Sequence, residues 1–120
     1  MNLYEHTIIA RQDTSPSELK QLTEKYSKIV EKNEGEIVKT ENWGLLNLSY
    51  SIRKNRKGSY IHFKIKGKGK VVEELEKNEA IDKKLLRYLT VKVKNFDLET
   101  NYFGKRDDNE KTEKKEKITN

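Results

Sequence analysis

At 120 residues the chain is one domain by length, and 32% hydrophobic residues, against roughly 45–50% apolar in an ordinary globular domain counted with glycine, leave it only a thin core, as in a two-layer sheet-and-helix fold. With no cysteine, neither a disulfide framework nor a thiolate metal site is possible, and a reducing, cytoplasmic setting is expected. The net charge of +6 is uneven: residues 53–94 hold 14 cations and 5 anions, whereas 1–52 hold 6 and 8, an asymmetry that suits a polyanionic partner.

The opening, MNLYEHTIIARQD, lacks the basic start and apolar run of a signal peptide. No stretch reaches the roughly 18 apolar residues of a membrane span, so no membrane partner is expected. Leu3 to Ala10 is rich in β-formers and is predicted as a strand. Ser15-Pro16-Ser17-Glu18 then starts a helix: the Ser15 hydroxyl accepts from a free backbone N–H, Pro16 loses nothing at the first helical position, and Glu18 completes a capping box. Leu19, Leu22, Tyr26, Ile29 and Val30 recur at helical spacing, and Gly35 is expected to supply the stop.

From Glu36 to Arg53 the period becomes two, with Leu46, Leu48, Tyr50 and Ile52 on one side and Asn47, Ser49, Ser51 and Arg53 on the other. A strand this long needs a bend, and Gly44 beside Trp43 is predicted to mark a bulge. Arg53-Lys54-Asn55-Arg56-Lys57-Gly58 follows as a turn with four cations in six residues, more charge than a reversal of the chain requires. Tyr60 to Lys66 alternates again. Ile61, Phe63 and Ile65 face the core, so Tyr60, His62, Lys64 and Lys66 are expected to face away from it and stay available.

Gly67-Lys68-Gly69-Lys70 is expected as a flexible connector, too short and lacking the Ser/Thr for a phosphate loop. Val71, Val72 and Leu75 predict a short helix ending near Asn78 or Glu79, on which Glu73, Glu74, Glu76 and Glu79 form a solvated face. Leu85 to Lys94 is the last strand. Its facing is open: Leu89, Val91 and Val93 compete with Tyr88 and Thr90 for the buried side. Residues 1–103 form the domain, and 104–120, with no apolar residue before Ile118, are expected to be a disordered charged tail.

The order β-α-β-β-α-β closes most simply as an α+β, ferredoxin-like sandwich, a four-stranded antiparallel sheet with both helices on one face. That fold hosts enzymes, metal carriers and RNA binders alike. His6 and His62 are the only histidines and are expected on opposite sheet faces, so no catalytic site, metal site, cofactor or small-molecule substrate is expected. RNA is the better match, because Lys and Arg neutralise phosphates and Tyr stacks on unpaired bases. The RNA recognition motif fits poorly. Lys57-Gly58-Ser59-Tyr60-Ile61-His62-Phe63 aligns with its third strand only after one deletion, with Ser59 in place of an aromatic, so backbone contacts should dominate.

Tyr4-Glu5 in the first strand, Trp43-Gly44 followed by Leu48, Tyr50, Ile52, Lys54, Gly58 and Tyr60, and Leu86-Arg87-Tyr88-Leu89-Thr90-Val91 at the end together resemble the bacterial ribosomal small-subunit protein S6 family over residues 3–94. The resemblance implies a non-catalytic, ribosome-associated protein that binds the central domain of small-subunit ribosomal RNA, with ribosomal protein S18 as its neighbour. Where the family commonly has arginines, this chain has Leu46 and Ala80. Expected RNA contacts therefore rest on Arg53, Lys54, Arg56, Lys57, Tyr60, Lys64, Lys66, Lys84, Arg87 and Lys92. The competing reading is a protein-interaction module whose long strand pairs edge to edge with a partner while the charge only steers association.

Overall fold

A computed structural model describes residues 1–96; the predicted tail at 104–120 lies outside the described residues. Six elements follow in the expected order: β1 (Asn2–Arg11), α1 (Pro16–Lys32), β2 (Glu36–Ile52), β3 (Asn55–Gly67), α2 (Gly69–Glu79) and β4 (Leu85–Val93). The sheet order is β2-β3-β1-β4, and every neighbouring pair is antiparallel. Period-two alternation puts Tyr4, Ile8, Ile61, Phe63 and Ile65 on one face, where Leu22, Tyr26 and Val30 of α1 and Val71 and Leu75 of α2 complete the core. Among the described residues no helix lies against the other face. This is the ferredoxin-like arrangement.

The helix start is as the sequence predicts. Ser15 Oγ accepts from the Glu18 N–H at 3.2 Å, and Glu18 Oε1 accepts from the Ser15 N–H at 3.0 Å. The stop is not. Glu34, not Gly35, takes the left-handed backbone at φ 66, while the Gly35 N–H closes the helix on the Val30 carbonyl at 2.8 Å. Gly35 is required for space, since a Cβ there would meet Val30 Cγ1 at 2.9 Å and Val71 Cγ2 at 3.0 Å.

Gly44 marks the expected bulge. Pairing with β3 shifts between Asn42 and Gly44, leaving Trp43 as the extra residue, and Gly44 has φ 84. Beyond Asn47 the regular ladder stops. Asn47 pairs with Lys57 and Ile52 with Asn55, so Leu48 to Ser51 arch out opposite the single residue Arg56. The predicted six-residue basic turn is therefore a two-residue turn, Arg53-Lys54, and Arg56 and Lys57 already belong to β3.

Two other expectations need correction, and the open facing of β4 is decided. The connector 67–70 is not flexible, because β3 runs to Gly67 and α2 starts at Gly69, with Gly67 packed so closely that a Cβ would lie 3.0 Å from Val71 Cγ2. Glu79 is not on a solvated face: it is 2% exposed, and its Oε2 lies 2.5 Å from His6 Nε2 in the core. On β4, pairing of Thr90 with His6 and of Tyr88 with Ile8 turns those two toward the helices and puts Leu89 and Val91 on the open face, 60% and 48% exposed. Polar partners decide that facing, since Thr90 Oγ1 bonds both His6 Nδ1 at 2.6 Å and Glu76 Oε2 at 3.1 Å.

Candidate nucleic-acid interface

The turn Arg53-Lys54 sets the first part of the site. Both residues have positive φ, 48 and 67, a conformation that two-residue hairpins usually give to Asn and Gly and that costs a side-chain-bearing residue about 1–2 kcal/mol. Asn55 offsets that cost. Its side-chain amide donates to the carbonyls of Arg53 at 3.0 Å and Ile52 at 3.3 Å, while its Oδ1 accepts from the Gln12 N–H at 3.1 Å. Gln12 Oε1 in turn accepts from the backbone N–H groups of Arg56 and Lys57, each at 3.2 Å. The loop after β1 thus clamps the hairpin while leaving the side chains of Arg53, Lys54, Arg56 and Lys57 exposed.

The tip then curls toward the far edge of the sheet. Arg53 Nη1 donates to the Leu85 carbonyl at 3.2 Å, and the arch carries Tyr50 across the open face, where its hydroxyl accepts from Arg87 and its ring lies 5.2 Å from the guanidinium. Lys84 joins the same end: its carbonyl accepts from the Arg11 N–H at 3.0 Å, and its ammonium sits 3.6 Å from Glu18. Six of the expected residues, Arg53, Lys54, Arg56, Lys57, Lys84 and Arg87, are thereby gathered at one end of the sheet.

Between the arch and the sheet lies a groove of about 270 Å³, lined by Ile9, Trp43, Leu48, Tyr50, Tyr60 and Arg87 among others. Tyr60 forms part of its floor and is half-buried, stacked on Trp43 with ring centroids 6.5 Å apart. Burial raises its phenol pKa, against the opposing pull of the Arg87 charge. Its hydroxyl is therefore neutral at physiological pH.

Lys64 must be withdrawn from the interface. It is 1% exposed, with Nζ 3.9 Å from Glu41 Oε2. Glu41 also holds Lys39 at 3.4 Å and accepts from Trp43 Nε1 at 2.8 Å. The indole stacks on His62 at 4.5 Å and 13°, and His62 contacts Thr7 Oγ1 at 2.8 Å and Glu5 at 3.1 Å. The middle of the open face is thus a self-neutralising polar network. Its signal in the sequence is Lys39, Glu41 and Trp43 at period two on a strand, opposite Lys64, His62 and Tyr60. Lys66 and Lys92 are exposed but lie elsewhere: Leu3 pairs with Lys66 and Tyr4 with Lys92, while Arg11 pairs with Gly58. At about 3.3 Å per residue, that is roughly 25 Å from the hairpin end.

Comparison with known proteins gives a consistent result. The family model for ribosomal protein S6 matches residues 3–92. The small ribosomal subunit protein bS6 of Pelagibacter ubique (strain HTCC1062) is 76% identical over 115 residues, covering 96% of this chain and 95% of that one. Its counterpart in Caulobacter sp. (strain K31) is 42% identical over 117 residues, covering 98% and 93%. The crystal structure of 30S ribosomal protein S6 from Thermotoga maritima is similar in fold, with a TM-score of 0.72 at 26% identity and 97% of each chain covered.

Proposed function

The chain belongs to the ribosomal protein S6 family, and on that premise we propose that its β2–β3 hairpin holds the backbone of the central domain of small-subunit ribosomal RNA, with ribosomal protein S18 docked beside it. Members of the family are structural, non-enzymatic constituents of the small ribosomal subunit, so the chain is ribosome-associated and its work is assembly, not catalysis. What remains to assign is the surface that performs it.

The observation that carries the proposal is the turn Arg53-Lys54. Two long cations occupy left-handed positions that Asn-Gly would fill at less cost, and such local strain at the tip of an exposed hairpin supports a functional demand on those side chains. Among the described residues no acid lies within ion-pair range of Arg53, Lys54, Arg56 or Lys57. Phosphates are the partners that such charges lack. Lys84, just before β4, and Arg87 on it contribute, and Tyr60 supports the groove floor. Leu89, Val91 and Tyr50 stand exposed on the same open face, with Leu46 and Leu48 half-buried beside them. Aliphatic surface gains nothing from a sugar-phosphate chain, which supports a protein neighbour there.

The test is binding to a central-domain RNA fragment across a salt series, with and without S18. For the Arg53→Gln/Arg56→Gln/Lys57→Gln variant the slope of log affinity against log salt should fall by up to about 3, one unit per lost phosphate contact. An unchanged slope with S18 binding intact would favour the protein-interaction module instead.

A further inference from the structure

We propose that the end of the sheet opposite the hairpin is a second RNA-backbone surface, formed by Lys66, Lys68, Lys70, Lys92 and Lys94, so that this one chain joins two separate RNA segments. The inference rests on the reading above that the polyanion is RNA. It concerns a different set of side chains.

The topology brings the five lysines to one end of the sheet from three elements, Lys66 on the open face and Lys68, Lys70 and Lys92 on the helix side. Lys66 is the penultimate residue of β3, Lys68 caps α2 and Lys70 stands in its first turn. Lys92 pairs with Tyr4 on the neighbouring strand, and the Tyr4 hydroxyl lies 3.9 Å from where a Cβ on Gly69 would stand, which sets Lys92 beside the start of α2. Lys94 follows Val93, which pairs with Leu3, while Leu3 pairs with Lys66 on its other side. All five side chains are exposed. None forms an ion pair among the described residues.

Neighbouring acids do not cancel this charge. Glu36 pairs across the ladder with Lys66 and Glu73 follows Lys70 by three residues, yet neither forms an ion pair with these lysines among the described residues. The contrast with the sheet centre is informative: there Lys39 and Lys64 are both held by Glu41, whereas Arg53, Lys54, Arg56 and Lys57 at one end and these five lysines at the other have no ion-pair partner among the described residues. A protein partner would need an apolar anchor to bury. The exposed large apolar side chains near this end among the described residues are Met1 and Val91, and Val91 lies with Leu89 on the open face, away from the start of α2 where Lys68, Lys70 and Lys92 stand, whereas phosphate requires no apolar anchor. The roughly 25 Å between the ends is too far for one side chain to serve both, so each end touches its own phosphates.

The experiment is hydroxyl-radical footprinting of the RNA backbone in small subunits reconstituted with the full-length chain as wild type, as Lys68→Gln/Lys70→Gln/Lys92→Gln/Lys94→Gln, or as Arg53→Gln/Arg56→Gln/Lys57→Gln. Equal thermal midpoints of the isolated proteins establish that all three fold. Two separate protected segments are expected in the wild type, the four-lysine variant losing one and the hairpin variant the other. A four-lysine variant that protects like the wild type overturns the inference, and so does loss of the same segment from both variants. If only the hairpin variant is without effect, the hairpin reading fails while the second surface stands on the lysine result.

Discussion

Glu79 shows what a single buried carboxylate costs and what it supplies. Burial raises its pKa, the hydrogen bond to His6 and the charge of that ring pull it back, and the net direction is upward; Oε1 has no hydrogen-bond partner among the described residues. A carboxyl whose folded pKa exceeds its unfolded one binds more protons in the native state, so its contribution to stability falls as pH rises above the ordinary value of 4.5 toward the raised one. Asp82 runs the other way. Burial pushes it up, but the Tyr26 hydroxyl at 2.6 Å, the Lys84 backbone N–H and the Lys25 ammonium together hold it below its ordinary value, so its contribution is lost as pH falls. Comparing denaturation midpoints of wild type and Glu79→Gln from pH 4 to 7 isolates the first effect. The wild type should lose stability relative to the variant as pH rises, and parallel curves would show that the carboxyl is not perturbed. Nothing in the local sequence announces this, because Glu79 reaches its partner 73 residues away and shares its helix with Glu73, Glu74 and Glu76, none of which is buried.

At the scale of elements, glycines separate two causes that look alike in sequence. Gly44 has φ 84 and, among the described residues, nothing within 4 Å of its absent Cβ, whereas a Cβ on Gly58 would meet Ile9 Cγ2 at 2.4 Å and the Ala10 carbonyl at 3.3 Å. Gly44→Ala therefore carries only a conformational penalty of about 1–2 kcal/mol. Gly58→Ala forces the hairpin away from β1, an overpacking cost of about 1–3 kcal/mol, and removing the obstructing methyl with Ile9→Ala should recover part of it in the double variant, a non-additivity expected only of contacting residues. Urea denaturation of the single and double variants checks both, and strict additivity of Ile9→Ala with Gly58→Ala would contradict the close approach. The capping box at Ser15, the apolar stripe of α1 and the alternation of β2 and β3 were legible because each is a periodic local pattern. The facing of β4 was not, since both of its faces carry apolar residues and the decision falls to Thr90 through contacts with His6 and Glu76. Lys64 was misplaced for a related reason: its acid, Glu41, arrives from another strand.

Across the whole molecule, charge is arranged by position more than by amount. The sheet centre neutralises itself through Glu41, Lys39, Lys64, Glu5 and His62, while Arg53, Lys54, Arg56 and Lys57 at the hairpin have no ion-pair partner among the described residues. The excess in residues 53–94 was visible in the sequence, and so was the hairpin's share of it. Its division into two ends was not, because only strand register reveals that Lys66 and Lys92 lie far from Arg53. The most direct measurement is the chemical reactivity of the central-domain ribosomal RNA in small subunits assembled with and without this chain, all other proteins being present. Nucleotides whose backbone is covered should become less reactive when the chain is added, and Arg53→Gln/Arg56→Gln/Lys57→Gln should restore reactivity at the hairpin's share of them. Identical reactivity at every central-domain nucleotide, with and without the chain, would contradict the account.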